Sequence, residues 1–192
     1  MSIRKKILAI SIGPVLVLGV ITLLFMLTMV KSSLMDEVQD ALKGTAAATL
    51  AAYDQNTGDY LESTNGDIWK GSYNISKSES LVDRIKENTG MDVTFFYGNK
   101  RIMTSALDKK GNRILGSEAG ERVVNQVIKG KKPFFSTNVS LDGTRNYGYF
   151  IPVYQNGTTD QVIGMVFVGT NKARKDAIVN KILGSIMMAL LV

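Results

Sequence analysis

The chain has 192 residues, with 23 Lys+Arg against 17 Asp+Glu and neither cysteine nor histidine. Those two absences exclude disulfide stapling, thiol or imidazole nucleophile chemistry and most zinc sites. The net charge of +6 is not a nucleic-acid signature, because four of the charges are Arg4, Lys5, Lys6 and Lys181 beside apolar runs, and no basic stripe with interleaved aromatics occurs.

Residues 7–30 carry no charge and follow directly on Arg4, Lys5 and Lys6. As a helix rising about 1.5 Å per residue, these 24 residues reach about 36 Å, enough to cross a hydrocarbon core of about 30 Å. The basic flank predicts a cytoplasmic start over residues 1–6 and an exported chain from residue 31 onward. A cleaved signal peptide is the competing reading. Its apolar core would be shorter, about 7–15 residues, and Met29-Val30-Lys31-Ser32 makes a poor cleavage site. Residues 182–192 are apolar again, so residues 178–192 are expected to begin a second membrane helix within which the sequence stops. Residues 31–177 between them suffice for one domain with a core of its own.

After the first apolar run, Leu34, Val38, Ala41, Leu42, Thr45, Thr49 and Ala52 recur at helical spacing, and alanine is dense over 46–52. A long helix over 33–53 follows, continuous with the membrane helix, with a narrow small-residue stripe suited to helix packing, either on its own domain or on a second copy in a homodimer. Residues 60–73 have no period and read as irregular. Ser76 with Glu79 has capping-box spacing, Leu81, Val82 and Ile85 give a helix face, and Gly90 is the stop. Residues 91–97 are rich in β-branched and aromatic side chains and read as a strand; Gly98-Asn99 turns the chain into a second strand over 100–106. Ser117 is the expected cap of another helix ending at Gly130, with Ala119, Val123, Val127 and Ile128 on one face. Strands are expected over 133–140, 145–154 and 161–169, the first two joined by an Asp142-Gly143 hairpin turn. Tight hairpins make the five-stranded sheet antiparallel and the class α+β.

Four local stretches in this order resemble one known family. Residues 87–96 (ENTGMDVTFF) resemble its helix end and first sheet strand, 100–105 (KRIMTS) its R-x-x-T-S strand, and 111–117 (GNRILGS) its G-x-R-x-x-G-[TS] turn. Residues 147–153 (YGYFIPV) with 162–169 (VIGMVFVG) resemble its closing hairpin. The chain thus resembles the single Cache domain, a PAS-like extracellular sensor module, over about 81–171, in the form found in bacterial methyl-accepting chemotaxis proteins. The resemblance implies a membrane-anchored long N-terminal helix followed by a PAS-like sheet domain. It also implies a small-molecule ligand, a homodimer in the cell membrane, and HAMP and signalling modules downstream.

Scattered acids with no histidine or cysteine leave catalysis unexpected, and no cofactor motif occurs. A binding pocket remains. Arg101 is the expected anion anchor, because its planar fork holds a carboxylate with two hydrogen bonds, which points to a small organic acid. Strand alternation puts Arg101, Met103 and Ser105 on one face and Thr104 on the other, so Thr104 and Ser105 share a pocket only across a bulge. Phe95 and Tyr97 on the neighbouring strand, and Tyr147 and Tyr149 with their hydroxyl donors, complete the candidate wall. Trp69 and Lys70 are candidates for a lid. Each has a plainer reading: the arginine as a solvated edge charge, the tyrosines as core with a wet tip, Trp69 as packing. The layout as a whole is expected to be the sensing region of a transmembrane chemoreceptor. The alternatives are the sensor of a histidine kinase or cyclic-dinucleotide enzyme, and a ligand-free structural membrane anchor.

Overall fold

The computed structural model of the chain describes residues 3–190, with side chains over 12–188. Met1, Ser2, Leu191 and Val192, the extremes of the expected termini 1–6 and 178–192, lie outside the described residues, as do the side chains of Arg4, Lys5 and Lys6. The chain divides into two units, Met1–Val38 with Ala177–Val192, and Gln39–Asp176.

The expected continuity of the first helix is borne out: α1 runs unbroken over Ile3–Asp54, with Pro14 tolerated inside it. Among the described residues, 12–54 form the one helix long and apolar enough to cross a membrane, with a mean hydropathy of 2.4 in its most apolar window. Val15, Leu16, Leu18 and Phe25 are all exposed along it.

In the second unit, the stretch read as irregular is folded. Residues 60–74 form a small antiparallel sheet of β1 (Tyr60–Glu62), β2 (Ile68–Lys70) and β3 (Tyr73–Asn74). Strands of two or three residues are too short to print an alternation, which is why no period was legible. Helix α2 (Glu79–Thr89) starts after Ser78, not Ser76. The Ser76 hydroxyl instead accepts from the Ile68 N–H, tying this turn to β2. Gly90 ends α2 in the left-handed conformation, donating its N–H to the Lys86 carbonyl.

The main sheet has order β5-β4-β8-β7-β6, all antiparallel, as the hairpin turns imply. Its strands are β4 (Asp92–Tyr97), β5 (Lys100–Thr104), β6 (Phe134–Leu141), β7 (Thr144–Tyr154) and β8 (Val162–Asn171). Asp142 and Gly143 both take positive φ, the geometry a two-residue hairpin needs. The helix expected from Ser117 is shorter and later. Residues 117–119 are extended along β5: Arg101 N–H donates to the Ser117 carbonyl and Ala119 N–H to the Asn99 carbonyl. That pairing covers the sheet edge. Only then come α3 (Glu121–Val123) and a π-helical turn over Val124–Lys129. Helix α4 (Lys172–Leu190) follows β8 without a loop.

Candidate functional site

Register sorts the strand residues into two faces. Phe95 pairs with Val166 and that with Ile151, while Phe96 pairs with Met165 and Thr94 with Phe167 and Phe150. One face therefore carries Val93, Phe95, Tyr97, Tyr147 and Tyr149; the other carries Thr94, Phe96, Phe150 and Phe167.

The first face is filled. Phe95 meets Tyr53 of α1 edge-on at 5.2 Å and stacks on Tyr60 at 5.8 Å. The Tyr53 hydroxyl shares a 3.0 Å hydrogen bond with Ser78, and the Tyr60 hydroxyl donates to Asp54. Burial raises the pKa of both phenols, so they stay protonated. At the end of this face Tyr147 donates to Asp176 and accepts from the Lys172 ammonium, with the Phe135 ring parallel to its own at 6.3 Å. Its pKa is raised, first by burial and then by Asp176.

The second face holds a cavity of about 400 Å³. Its buried wall is made of Phe96, Phe150 and Phe167, with Phe134 half-buried beside them. Glu118, Arg122, Asn138 and Ser140 are its exposed rim. Two paired glycines make the floor possible. A Cβ on Gly148 would lie 2.5 Å from the Phe167 ring, and one on Gly169 would lie 2.4 Å from it.

Arg101 belongs to this cavity. The side-chain alternation expected for its strand fails, because β5 slips register between Phe95↔Met103 and Phe96↔Arg101. Ile102 is the extra residue, so Met103 faces Tyr53 and Tyr60's side with Phe95, while Arg101 lies over the Phe96 ring at 5.3 Å. Arg101 is only 8% exposed, and its Nε has no hydrogen-bond partner. Its Nη1 reaches the Ile114 carbonyl at a long 3.4 Å. Burial pulls the guanidinium below its usual pKa and the Asp92 carboxylate offsets part of that; a guanidinium remains charged regardless.

The two sequence motifs around it act together. Arg101 donates its backbone N–H to Ser117 and accepts from Gly116. Arg113 of the same turn donates to both Asp83 oxygens and to the Thr104 carbonyl. The turn thus holds the backbone that carries Arg101, and the Arg113 hydrogen bonds hold Asp83 below the usual carboxylate range.

The remaining expected site residues are not brought to this cavity. The Thr104 hydroxyl is buried against Thr94 at 2.7 Å and caps the Ala106 N–H. The Ser105 hydroxyl accepts from the Val93 N–H. Phe95, Tyr97, Tyr147 and Tyr149 occupy the opposite face. Lys70 lies buried under the Tyr60 ring at 4.1 Å and pairs with Asp54 at 3.3 Å, and Trp69 faces away from it in β2 opposite Leu61. The aromatic cavity residues that sequence reasoning passed over are Phe96, Phe134, Phe150 and Phe167. For Phe96 and Phe150 a signal was present: each neighbours a tyrosine in its own strand and so faces the other way.

The sequence profile of the family described as single Cache domain 3 matches residues 73–182. No curated protein matches the sequence significantly. Among solved structures, an extracellular ligand binding receptor from Desulfohalobium retbaense is 14% identical with a TM-score of 0.55, over 80% of this chain and 26% of that one. A methyl-accepting chemotaxis protein X is 15% identical with a TM-score of 0.50, over 82% of this chain and 65% of that one. This chain thus spans about a quarter of the first and two thirds of the second, and at these identities the likeness concerns the fold. The five-stranded antiparallel sheet, the long N-terminal helix and a profile match across more than half the residues give one answer: the chain belongs to the single Cache domain 3 family of PAS-like sensory ligand-binding domains.

Proposed function

We propose that this chain is the ligand-sensing region of a transmembrane chemoreceptor, taking a small carboxylate in the cavity beside Arg101. The observation that carries the reading is that guanidinium, buried, without an ion-pair partner and with a free Nε, against a cavity of about 400 Å³. A buried cation without an anion is costly, and a carboxylate meets a guanidinium fork with two hydrogen bonds. A ligand-free anchor would have no use for an open, partly polar cavity.

In this reading residues 7–30 are a retained membrane anchor, 31–177 the extracytoplasmic sensor, and 178–192 the start of a second span leading to HAMP and signalling modules. Support comes from the exposed apolar length of α1 and the uninterrupted passage from β8 into α4. Two copies pair along α1 between residues 33 and 53, through the helix face left exposed, because Leu42, Ala46 and Thr49 of the small-residue stripe are buried within the chain itself. Ligand shifts the population between two arrangements, which it can do only by binding them unequally.

The test is a thermal-shift screen of the full chain in lipid nanodiscs against organic acids and amino acids, followed by calorimetry on a hit. Hydrogen bonds to charged groups are worth about 1.5–3 kcal/mol, so Arg101→Ala is expected to weaken a carboxylate hit roughly ten- to more than a hundredfold. Arg101→Lys, which keeps charge and loses the fork, is expected to recover part of it. Unchanged affinity in Arg101→Ala removes the anchor role.

A further inference from the structure

Resting on the reading of the cavity as a ligand site, we infer its ligand class: a monocarboxylate with an aromatic or similarly bulky apolar body, a second carboxylate being rejected at the rim by Glu118.

Three observations point the same way. The first is size. A cavity of about 400 Å³ lies at the low end of pockets that enclose whole drug-sized molecules. An acid of two to four carbons would satisfy Arg101 and leave most of the wall unmatched. A void beside rings forfeits their dispersion contacts, and water there would find few polar partners.

The second is the wall itself. Phe150 packs on Phe167 at 4.7 Å with a 41° tilt, and Phe134 on Phe150 at 6.4 Å. Rings inclined to one another offer both faces and edges to another ring. Gly148 and Gly169 leave room for the Phe167 ring to lie flat over the sheet. The strands thus give up two side chains, and the Phe96, Phe150 and Phe167 rings line the cavity as part of a buried apolar cluster that also holds Val127 and Met165.

The third is charge. Arg101 is the one buried cation on the cavity wall. Among the described residues it takes part in no ion pair; the bridges lie at Lys70–Asp54, Lys77–Asp67, Lys86–Asp92, Arg113–Asp83 and Lys172–Asp176. One fork fits one carboxylate. At the exposed rim Arg122 lies over the Phe134 ring at 5.3 Å, and Glu118 adds a negative charge to the same rim. A diacid anchored on Arg101 would bury its second charge among phenylalanines or bring it toward Glu118. The first costs desolvation; in the second Glu118 opposes the charge at a rim it shares with Arg122, and specificity is commonly built from such opposing groups.

The experiment is calorimetry on the full chain in nanodiscs, corrected with empty nanodiscs, using four probes: propionate, 3-phenylpropionate, phenylsuccinate and 3-phenylpropan-1-ol. The phenyl acid is expected to bind at least tenfold more tightly than propionate and than the alcohol. Glu118→Gln is expected to strengthen phenylsuccinate at least threefold more than it strengthens 3-phenylpropionate. Propionate equal to the phenyl acid would overturn the bulky body. An alcohol equal to the acid would overturn the carboxylate, and an unmoved phenylsuccinate in Glu118→Gln would overturn the rim's role. These comparisons need no Arg101 variant, so its folding does not enter. If the alcohol binds and the binding is lost in Ser136→Trp, which blocks the cavity, a failure of the acid sinks the ligand class alone. If no probe binds to the unaltered chain, the ligand-site reading fails with it.

Discussion

The two faces of the main sheet are written by alternate residues of the same strands and were put to opposite uses. On one, Phe95 sits between Tyr53 and Tyr60, and their hydroxyls are bonded to Ser78 and Asp54. On the other, Phe96, Phe150 and Phe167 border open space, and a buried arginine has a nitrogen without a partner. The difference teaches where to look for function in a small antiparallel domain. A face whose polar groups are all satisfied is spent on stability. A face that carries an unmet charge beside empty volume is held in that state by the rest of the fold, at a cost in stability.

The comparison breaks first at Phe95. Phe95→Ala removes a ring that is fully buried between two others, and core phenylalanine truncations cost about 3–5 kcal/mol. Urea unfolding of the full chain is expected to show that loss; a loss below 1 kcal/mol would mean the helix face is less consolidated than its contacts imply. Gly148→Ala is expected to cost less, about 1–3 kcal/mol, because its Cβ would press on the Phe167 ring and on Val139 Cγ2 at 2.8 Å. It should also weaken any ligand of the cavity, whereas Phe95 variants that remain folded should bind normally.

Tyr147→Phe sharpens the contrast at smaller scale. Losing one hydroxyl that bridges Lys172 and Asp176 should cost about 0.5–1.5 kcal/mol. Hydrogen exchange should quicken in the first turn of α4 and stay unchanged in β4 and β5. Uniform quickening would show that the contact is not local.

The smallest effect is on pH dependence. Asp83 is held below its ordinary pKa chiefly by the Arg113 hydrogen bonds. The unfolded chain therefore binds more protons there. This contribution is full above the unfolded carboxylate value of about 3.9 and is lost as pH falls through the lower folded value. Melting scans should show Asp83→Asn losing stability at pH 7 and converging on the parent chain in acid. A constant gap at every pH would assign the effect to shape, not charge. Asp83 is 42% exposed, so solvent screening keeps the effect small.

Much of the fold was legible because its signals are local. Asp142-Gly143 set a hairpin, Gly90 a helix stop, and the β-branched and aromatic run at 91–97 a strand. Of the residues expected at a site, Arg101 lines the cavity, while Phe95, Tyr97, Tyr147 and Tyr149 lie on the opposite face. The difference has one physical source. A strand's alternation names two faces and does not say which one is emptied, and the tyrosines, with hydroxyls to offer, looked like a binding wall. The Tyr147 hydroxyl is instead engaged with the chain itself, through Asp176 and Lys172, and Tyr97 and Tyr149 lie on the same filled face. The slip at Ile102 was illegible for a second reason: a bulge is fixed by pairing across strands, here with Phe95 and Phe96, and not by the residues of the bulged strand alone. Ser76 and Ser117 each fit a helix cap by spacing and were claimed by tertiary hydrogen bonds to Ile68 and Arg101.

The bond network at Tyr147 sets the practical limits for preparing a soluble sensor. Asp176 is the last residue of the compact unit that begins at Gln39, and it is the acceptor of the Tyr147 hydroxyl. A cut placed at 175, where the basic stretch invites one, would strip that acceptor and leave the Lys172 ammonium and the phenol without their common carboxylate. The terminal carboxylate of such a fragment would sit one residue away and could masquerade as the missing partner. A boundary past the first turns of α4 keeps the native carboxylate in place, so that ligand affinities measured on the fragment describe the same sheet end as in the anchored chain.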